Sequence, residues 1–106
     1  MSMIHHRRRV DQNQAGIVAA LQKIGACVLD LSGAGKGVCD LIVCYRKQVH
    51  MVEIKNPGKP KADQALTPAQ IKLHKAIGDA GCEVHIVRTA DEAIALVTQA
   101  IAPELG

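Results

Sequence analysis

One stretch of the chain, residues 37–55 (GVCDLIVCYRKQVHMVEIK), constrains the fold more than any other. Its polar Arg46-Lys47 pair lies between two apolar-rich runs, which predicts two β-strands joined by a tight turn. Strand alternation puts Asp40, Ile42 and Cys44 on one face of the first strand. Val49, Met51, Glu53 and Lys55 share one face of the second. A hairpin symmetric about the turn pairs Tyr45 with Gln48, and counting outward sets Asp40 opposite Glu53. Directly opposed residues have Cβ atoms about 4.5–5.5 Å apart, so two carboxylates placed there repel. A bound cation relieves that repulsion, and carboxylate oxygens suit Mg²⁺. Lys55 lies two residues beyond Glu53 on the same face. The opposite face, with Leu41, Val43, Val52 and Ile54, reads as core. His50 falls in that register near the turn and is expected to be a partly exposed strand residue.

The order Asp40, then Glu53-x-Lys55, resembles the core of the PD-(D/E)XK nucleases. More narrowly it is similar to their VRR-NUC (virus-type replication-repair nuclease) branch in its small stand-alone form. The resemblance runs through most of the chain: Asp11-x-Asn13-Gln14 with Ile17-Val18-Ala19-Ala20-Leu21, then Gly37-x-x-Asp40-Leu41-Ile42-Val43. Val52-Glu53-Ile54-Lys55, Leu66-Thr67-Pro68-x-Gln70 and Gly81 before Val87-Arg88-Thr89 follow. Two positions depart from the pattern. Cys39 stands where a proline precedes the aspartate, and Gly16 stands where many relatives carry a helical glutamate. The resemblance implies that Asp40, Glu53 and the backbone carbonyl of Ile54 hold Mg²⁺ or Mn²⁺. It makes Lys55 and Gln70 catalytic-site residues, brings Gln14 in from the first helix as support, and points to a homodimer.

At 106 residues the chain has room for one domain. We assign residues 11–106 to it and read residues 1–10 as a flexible basic terminus. The hydrophobic content is 48%, yet the only aromatic residue is Tyr45, so the core must be aliphatic. A single-strand binder that stacks bases on aromatic rings is thereby excluded. Any nucleic-acid partner must be gripped by its backbone and read by shape. The net charge of +3 is compatible with such a partner. Cys27, Cys39, Cys44 and Cys82 read as buried free thiols of a cytoplasmic chain rather than disulfides, because no signal peptide or membrane-spanning run accompanies them. Their spacing does not match a zinc ribbon.

The remaining elements follow from caps and stripes. A helix is expected over residues 11–24, with Asp11 as N-cap, an Ile17-Ala20-Leu21-Ile24 stripe and Gly25 as the stop. Gln14 has two readings, partner of the Asp11 cap or neighbour of the metal site. A strand over 26–31 leads into the glycine-rich residues 32–37. That loop is not a phosphate-binding P-loop, since Gly37 replaces the required Ser/Thr and a strand follows. Its glycines permit close approach of a DNA strand, and Lys36 is placed to meet a phosphate. The Pro/Lys-rich residues 56–66 bring Lys59 and Lys61 beside the same strand end. Arg7, Arg8 and Arg9 form a further candidate phosphate contact. Thr67-Pro68-x-Gln70 opens a second helix with the stripe Leu73-Ala76-Ile77-Ala80. Gln70 is read both as a capping residue and as a neighbour of Lys55. A strand over 82–88 and a capped helix over 89–102 complete an αβββαβ restriction-endonuclease-like core. Its mixed four-stranded sheet is flanked by helices, and a C-terminal helix is added.

The expected function is hydrolysis of phosphodiester bonds in DNA by a Mg²⁺- or Mn²⁺-dependent nuclease, selective for branched DNA such as four-way junctions. The alternative is a non-catalytic module that binds DNA by shape. No organic cofactor and no membrane partner are expected.

Overall fold

A computed structural model of the protein describes residues 12–61 and 65–99. The basic terminus with Arg7, Arg8 and Arg9, the Asp11 cap and the end of the last helix lie outside the described residues. The element order is α1 (Gln12–Lys23), β1 (Cys27–Asp30), β2 (Leu41–Tyr45), β3 (Gln48–Ile54), α2 (Pro68–Asp79), β4 (Val84–Val87) and α3 (Ala90–Gln99). The strands form one sheet in the order β1-β2-β3-β4. The first three run antiparallel and β4 joins β3 in parallel, after the α2 crossover.

The hairpin register matches the sequence expectation, with Tyr45 paired to Gln48 and Leu41 to Val52. Arg46 and Lys47 both adopt left-handed backbone, φ 50° and 70°. Two successive residues at positive φ are the requirement of a type I′ hairpin turn, whose twist suits the flanking strands. The β2–β3 ladder stops one residue short of Asp40. There the Asp40 side chain takes over, and its Oδ2 accepts the backbone N–H of Ile54 at 2.8 Å. Strand β2 is therefore shorter than residues 37–45, because a carboxylate occupies the place of the next ladder bond. Strands β1 and β4 are likewise shorter than expected.

Core packing follows the two periodicities. Ile17 and Leu21 of α1, Leu41 and Val43 of β2, Val52 and Ile54 of β3, Val87 of β4, and Ala93 and Val97 of α3 form one buried cluster. Helices α1 and α3 pack on each other and on this face of the sheet. Each fully buried Val or Leu contributes about 1.5–3 kcal/mol. A glycine closes the C-terminal end of α2. Gly81 follows α2 at φ 89°, a left-handed stop that costs a glycine nothing.

Three expectations need correction. His50 is buried at 5% exposure rather than partly exposed, because its register sets it on the helix-covered face. Burial, with His85 nearby, holds its imidazole pKa below the ordinary value. Of the four cysteines only Cys39 is buried; Cys27 and Cys82 are exposed and Cys44 is half-buried. Cys27 and Cys44 are register partners on the sheet face turned away from α1 and α3. All four are free thiols. Finally, the Leu73-Ala76-Ile77-Ala80 stripe of α2 is not core, for no residue of that helix is buried.

Candidate active site

The site is built where β2 begins, β3 ends and α2 starts. Chain alternation turns Glu53 to the face opposite Val52, and the sheet's end brings Asp40 beside it. Both acids accept hydrogen bonds from amide N–H groups. Asp40 is fixed by the Ile54 N–H. Glu53 is 2% exposed, and its Oε2 accepts from Gln70 Nε2 at 2.6 Å. Lys55 is 8% exposed, with Nζ 3.6 Å from Glu53 Oε2. The same ammonium donates to Gln70 Oε1 and to the Ala65 carbonyl, each at 3.3 Å.

Gln70 satisfies both of its sequence readings. Thr67 caps α2, its hydroxyl accepting the Gln70 N–H at 3.1 Å while Gln70 Oε1 accepts the Thr67 N–H at 2.9 Å. A proline at the first turn completes the start of the helix. The capping box thus orients the glutamine, and its Nε2 is left to reach Glu53. Local helix-start chemistry and the site are joined through one side chain.

Gln14 is buried, and its Nε2 donates to Asp30 Oδ2 at 3.3 Å rather than to Asp40 or Glu53. Asp30 is a residue that the sequence reading did not single out. Its Oδ1 accepts from the Ser32 N–H at 2.9 Å and the Ser32 hydroxyl at 2.5 Å, and its charge is felt at Asp40. An Asp with a Ser two residues on, at a strand end, is a local turn signal that also fixes a carboxylate. Only the sheet register reveals that this carboxylate neighbours Asp40. Gly16 is exposed in α1, with open space where a side chain would stand.

The electrostatics are those of crowded, partly desolvated acids. Burial first, and then the Asp40 charge, push the Glu53 carboxyl up to about 7, against the pull of Lys55 and Gln70. Burial raises Asp40 as well, with Asp30 adding to it, against the Ile54 N–H and Glu53 hydrogen bonds and Lys55. Glu53 Oε1 is buried without a hydrogen-bond partner among the described residues. A buried carboxylate oxygen left unpaired is costly. A divalent cation bound between Glu53 and Asp40 would satisfy it, so the donor set fits a hard metal. No cluster of three or more His, Cys, Asp or Glu side chains suited to a metal occurs among the described residues. The remaining positions on such an ion would fall to backbone carbonyl, water and substrate oxygens.

The glycine-rich loop closes over the start of α2. Gly35, Lys36 and Gly37 are all left-handed, at φ 71°, 57° and 83°. A Cβ on Gly37 would lie 2.4 Å from the Ala69 carbonyl oxygen. Gly37 thus permits close approach to the protein's own α2 backbone, where the sequence suggested a DNA strand. Lys36, Lys59 and Lys61 are exposed.

No protein-family model matches the chain, and no curated protein does. Among solved structures, a VRR_NUC domain superposes with a TM-score of 0.57 at 22% identity, covering 82% of this chain and 91% of that one. The class is therefore clear at the level of architecture: among the described residues, an α/β domain with a mixed four-stranded sheet flanked by helices. More particularly, this chain has the fold of a VRR_NUC domain.

Proposed function

We propose that the protein is a divalent-metal-dependent nuclease that hydrolyses phosphodiester bonds in DNA. The observation that carries this reading is the convergence of Asp40, Lys55 and Gln70 on the buried Glu53 carboxylate, whose Oε2 takes Gln70 and Lys55 while its Oε1 has no hydrogen-bond partner among the described residues. Asp40, Glu53 and the Ile54 carbonyl would hold Mg²⁺ or Mn²⁺. Bound there, such an ion would supply Lewis-acid polarisation of the scissile phosphate and a water of lowered pKa. Lys55 orients the attacking water and offsets the phosphate charge. Gln70 fixes the Glu53 carboxylate and, through its Oε1, the Lys55 ammonium. Lys36, Lys59 and Lys61 contact DNA phosphates, with Arg7, Arg8 and Arg9 as a further arm.

The substrate we favour is branched DNA, such as a four-way junction, cut by a homodimer whose two sites face opposed strands. Support for self-association comes from uncovered apolar surface. Leu29, Val49, Ile71 and Ile86 are exposed at 50%, 68%, 56% and 38%. Leu29, Ile42, Met51 and Val84 form a cross-strand row on the sheet face that α1 and α3 leave open. Among the described residues no helix is long and apolar enough to cross a membrane.

Incubation with supercoiled plasmid, linear duplex and four-way junctions, in Mg²⁺, Mn²⁺ or EDTA, tests the reading. Metal-dependent cutting supports it. Junction binding without cutting in either metal would leave a DNA-binding module instead. Light scattering at micromolar concentration should give twice the 11.3 kDa chain mass.

A further inference from the structure

A groove runs between the glycine-rich loop and α2, lined by Lys36, Ala69, Lys72, Leu73 and Ala76, with a volume of about 450 Å³. Its floor is aliphatic. Ala69, Leu73 and Ala76 follow each other at i, i+4 and i+7, so they form one stripe along the helix. Two lysines also line it, Lys36 from the loop and Lys72 from α2. Lys36 is in left-handed backbone at φ 57°, a conformation that disfavours a side-chain-bearing residue. The groove abuts the site: Gly37 touches Ala69, and the next residue, Gln70, holds Glu53.

We propose that this groove takes an unpaired nucleotide of the DNA substrate, next to the phosphate to be cut. The inference rests on the nuclease reading for its substrate class and adds a site for a base. Charge and shape select this occupant. A duplex backbone alone would need the lysines but no apolar floor. A buried apolar segment of another protein would fit the floor but not the two ammonium groups. A nucleotide has both a flat apolar face and a phosphate. With no aromatic ring in the groove, the base lies against aliphatic carbon, a contact tolerant of base identity. Bulges, and branch points whose central pairs open, present unpaired nucleotides of this kind, whereas an intact duplex does not.

The test measures binding in EDTA, so it does not depend on cleavage. Fluorescent duplexes are compared with otherwise identical DNA carrying a short bulge. Wild type should prefer the bulged DNA. Ala76→Trp fills the groove from an exposed helix position and should reduce bulge affinity about tenfold, the loss of one base contact. Its affinity for intact duplex should stay within about twofold of wild type. Lys72→Ala, which leaves the floor intact, should reduce the bulge preference in the same direction. Melting curves of both variants exclude unfolding. Absence of any bulge preference in wild type overturns the proposal. So does an equal change on both DNAs, or a change of dimer mass in Ala76→Trp with the bulge preference kept, which assigns the groove to a second copy. Bulge preference without cutting in Mg²⁺ or Mn²⁺ would sink the nuclease reading and leave this site standing. Cutting without bulge preference would do the reverse.

Discussion

Gln70 Nε2 donates to Glu53 Oε2 at 2.6 Å while its Oε1 accepts the Thr67 N–H at 2.9 Å, so one side chain both caps a helix and aims a carboxylate. Gln70→Ala should therefore lose in two ways. Loss of the Thr67 N–H bond to Gln70 Oε1 costs about 0.5–1.5 kcal/mol, while the Thr67 hydroxyl still caps the helix. Loss of the amide that orients Glu53 should reduce cleavage about 10–100-fold, the range for partners of metal ligands. Gln70→Glu keeps an oxygen for the Thr67 N–H but turns a second carboxylate toward Glu53. It should melt lower than wild type in EDTA and recover with Mn²⁺. Equal melting of all three proteins in EDTA, with equal cleavage, would remove Gln70 from the site.

Lys55→Ala should abolish cleavage and leave DNA binding within a few-fold of wild type. The Lys55 ammonium is committed to Glu53, Gln70 and Ala65, all inside the site, and makes a small part of any phosphate surface. Cleavage assays beside fluorescence anisotropy of the same protein decide this. Turnover at the wild-type rate would exclude Lys55 from the mechanism.

The pH dependence of metal-free stability reports on the acid pair. The Glu53 carboxyl is raised to about 7 in the fold, above the ordinary value of 4.5. The folded state thus binds more protons than the unfolded chain across that window. The stability contribution is full below pH 4.5 and is lost as pH rises to about 7. Urea melts in EDTA should show this decline, and Glu53→Gln should flatten it. Metal competes with the retained proton, so the rise in melting temperature given by Mn²⁺ should grow with pH over the same window. Asp40→Asn should lose most of that rise. An unchanged metal response in Asp40→Asn would separate the two carboxylates.

Two glycines should respond oppositely to alanine. Gly16 is exposed in α1 with nothing within 4 Å of a Cβ. Gly16→Ala should stabilise by about 1 kcal/mol, the helix-propensity difference. In a domain of this size that is a rise of roughly 4–8 °C in melting temperature. Gly37 has φ 83° and an Ala69 carbonyl 2.4 Å from the position of a Cβ. Gly37→Ala should destabilise by more than the roughly 1–2 kcal/mol of left-handed strain alone. It should also displace Gln70 and weaken the metal response. Differential scanning calorimetry of the two variants checks the contrast.

The sequence by itself determined the elements whose causes are local. Alternation and a polar turn fixed the β2–β3 register, and from it the meeting of Asp40 with Glu53. Helical spacing marked Ile17 and Leu21 as core, and Thr67-Pro68-x-Gln70 marked the start of α2. These are contacts between residues close in the chain or linked by a short hairpin, so periodicity suffices to place them. Tertiary structure decided what depends on which faces get covered. His50 is buried and Cys27 exposed because α1 and α3 both lie on one side of the sheet. The stripe of α2 remains open because that helix starts at the site edge instead of lying across the core. Asp30 joins Asp40 only through the pairing of β1 with β2, and Gln14 meets Asp30 only through the packing of α1. Hydrophobic pattern states that a face must be buried; it carries no information on which neighbour buries it, because burial of apolar area has no direction.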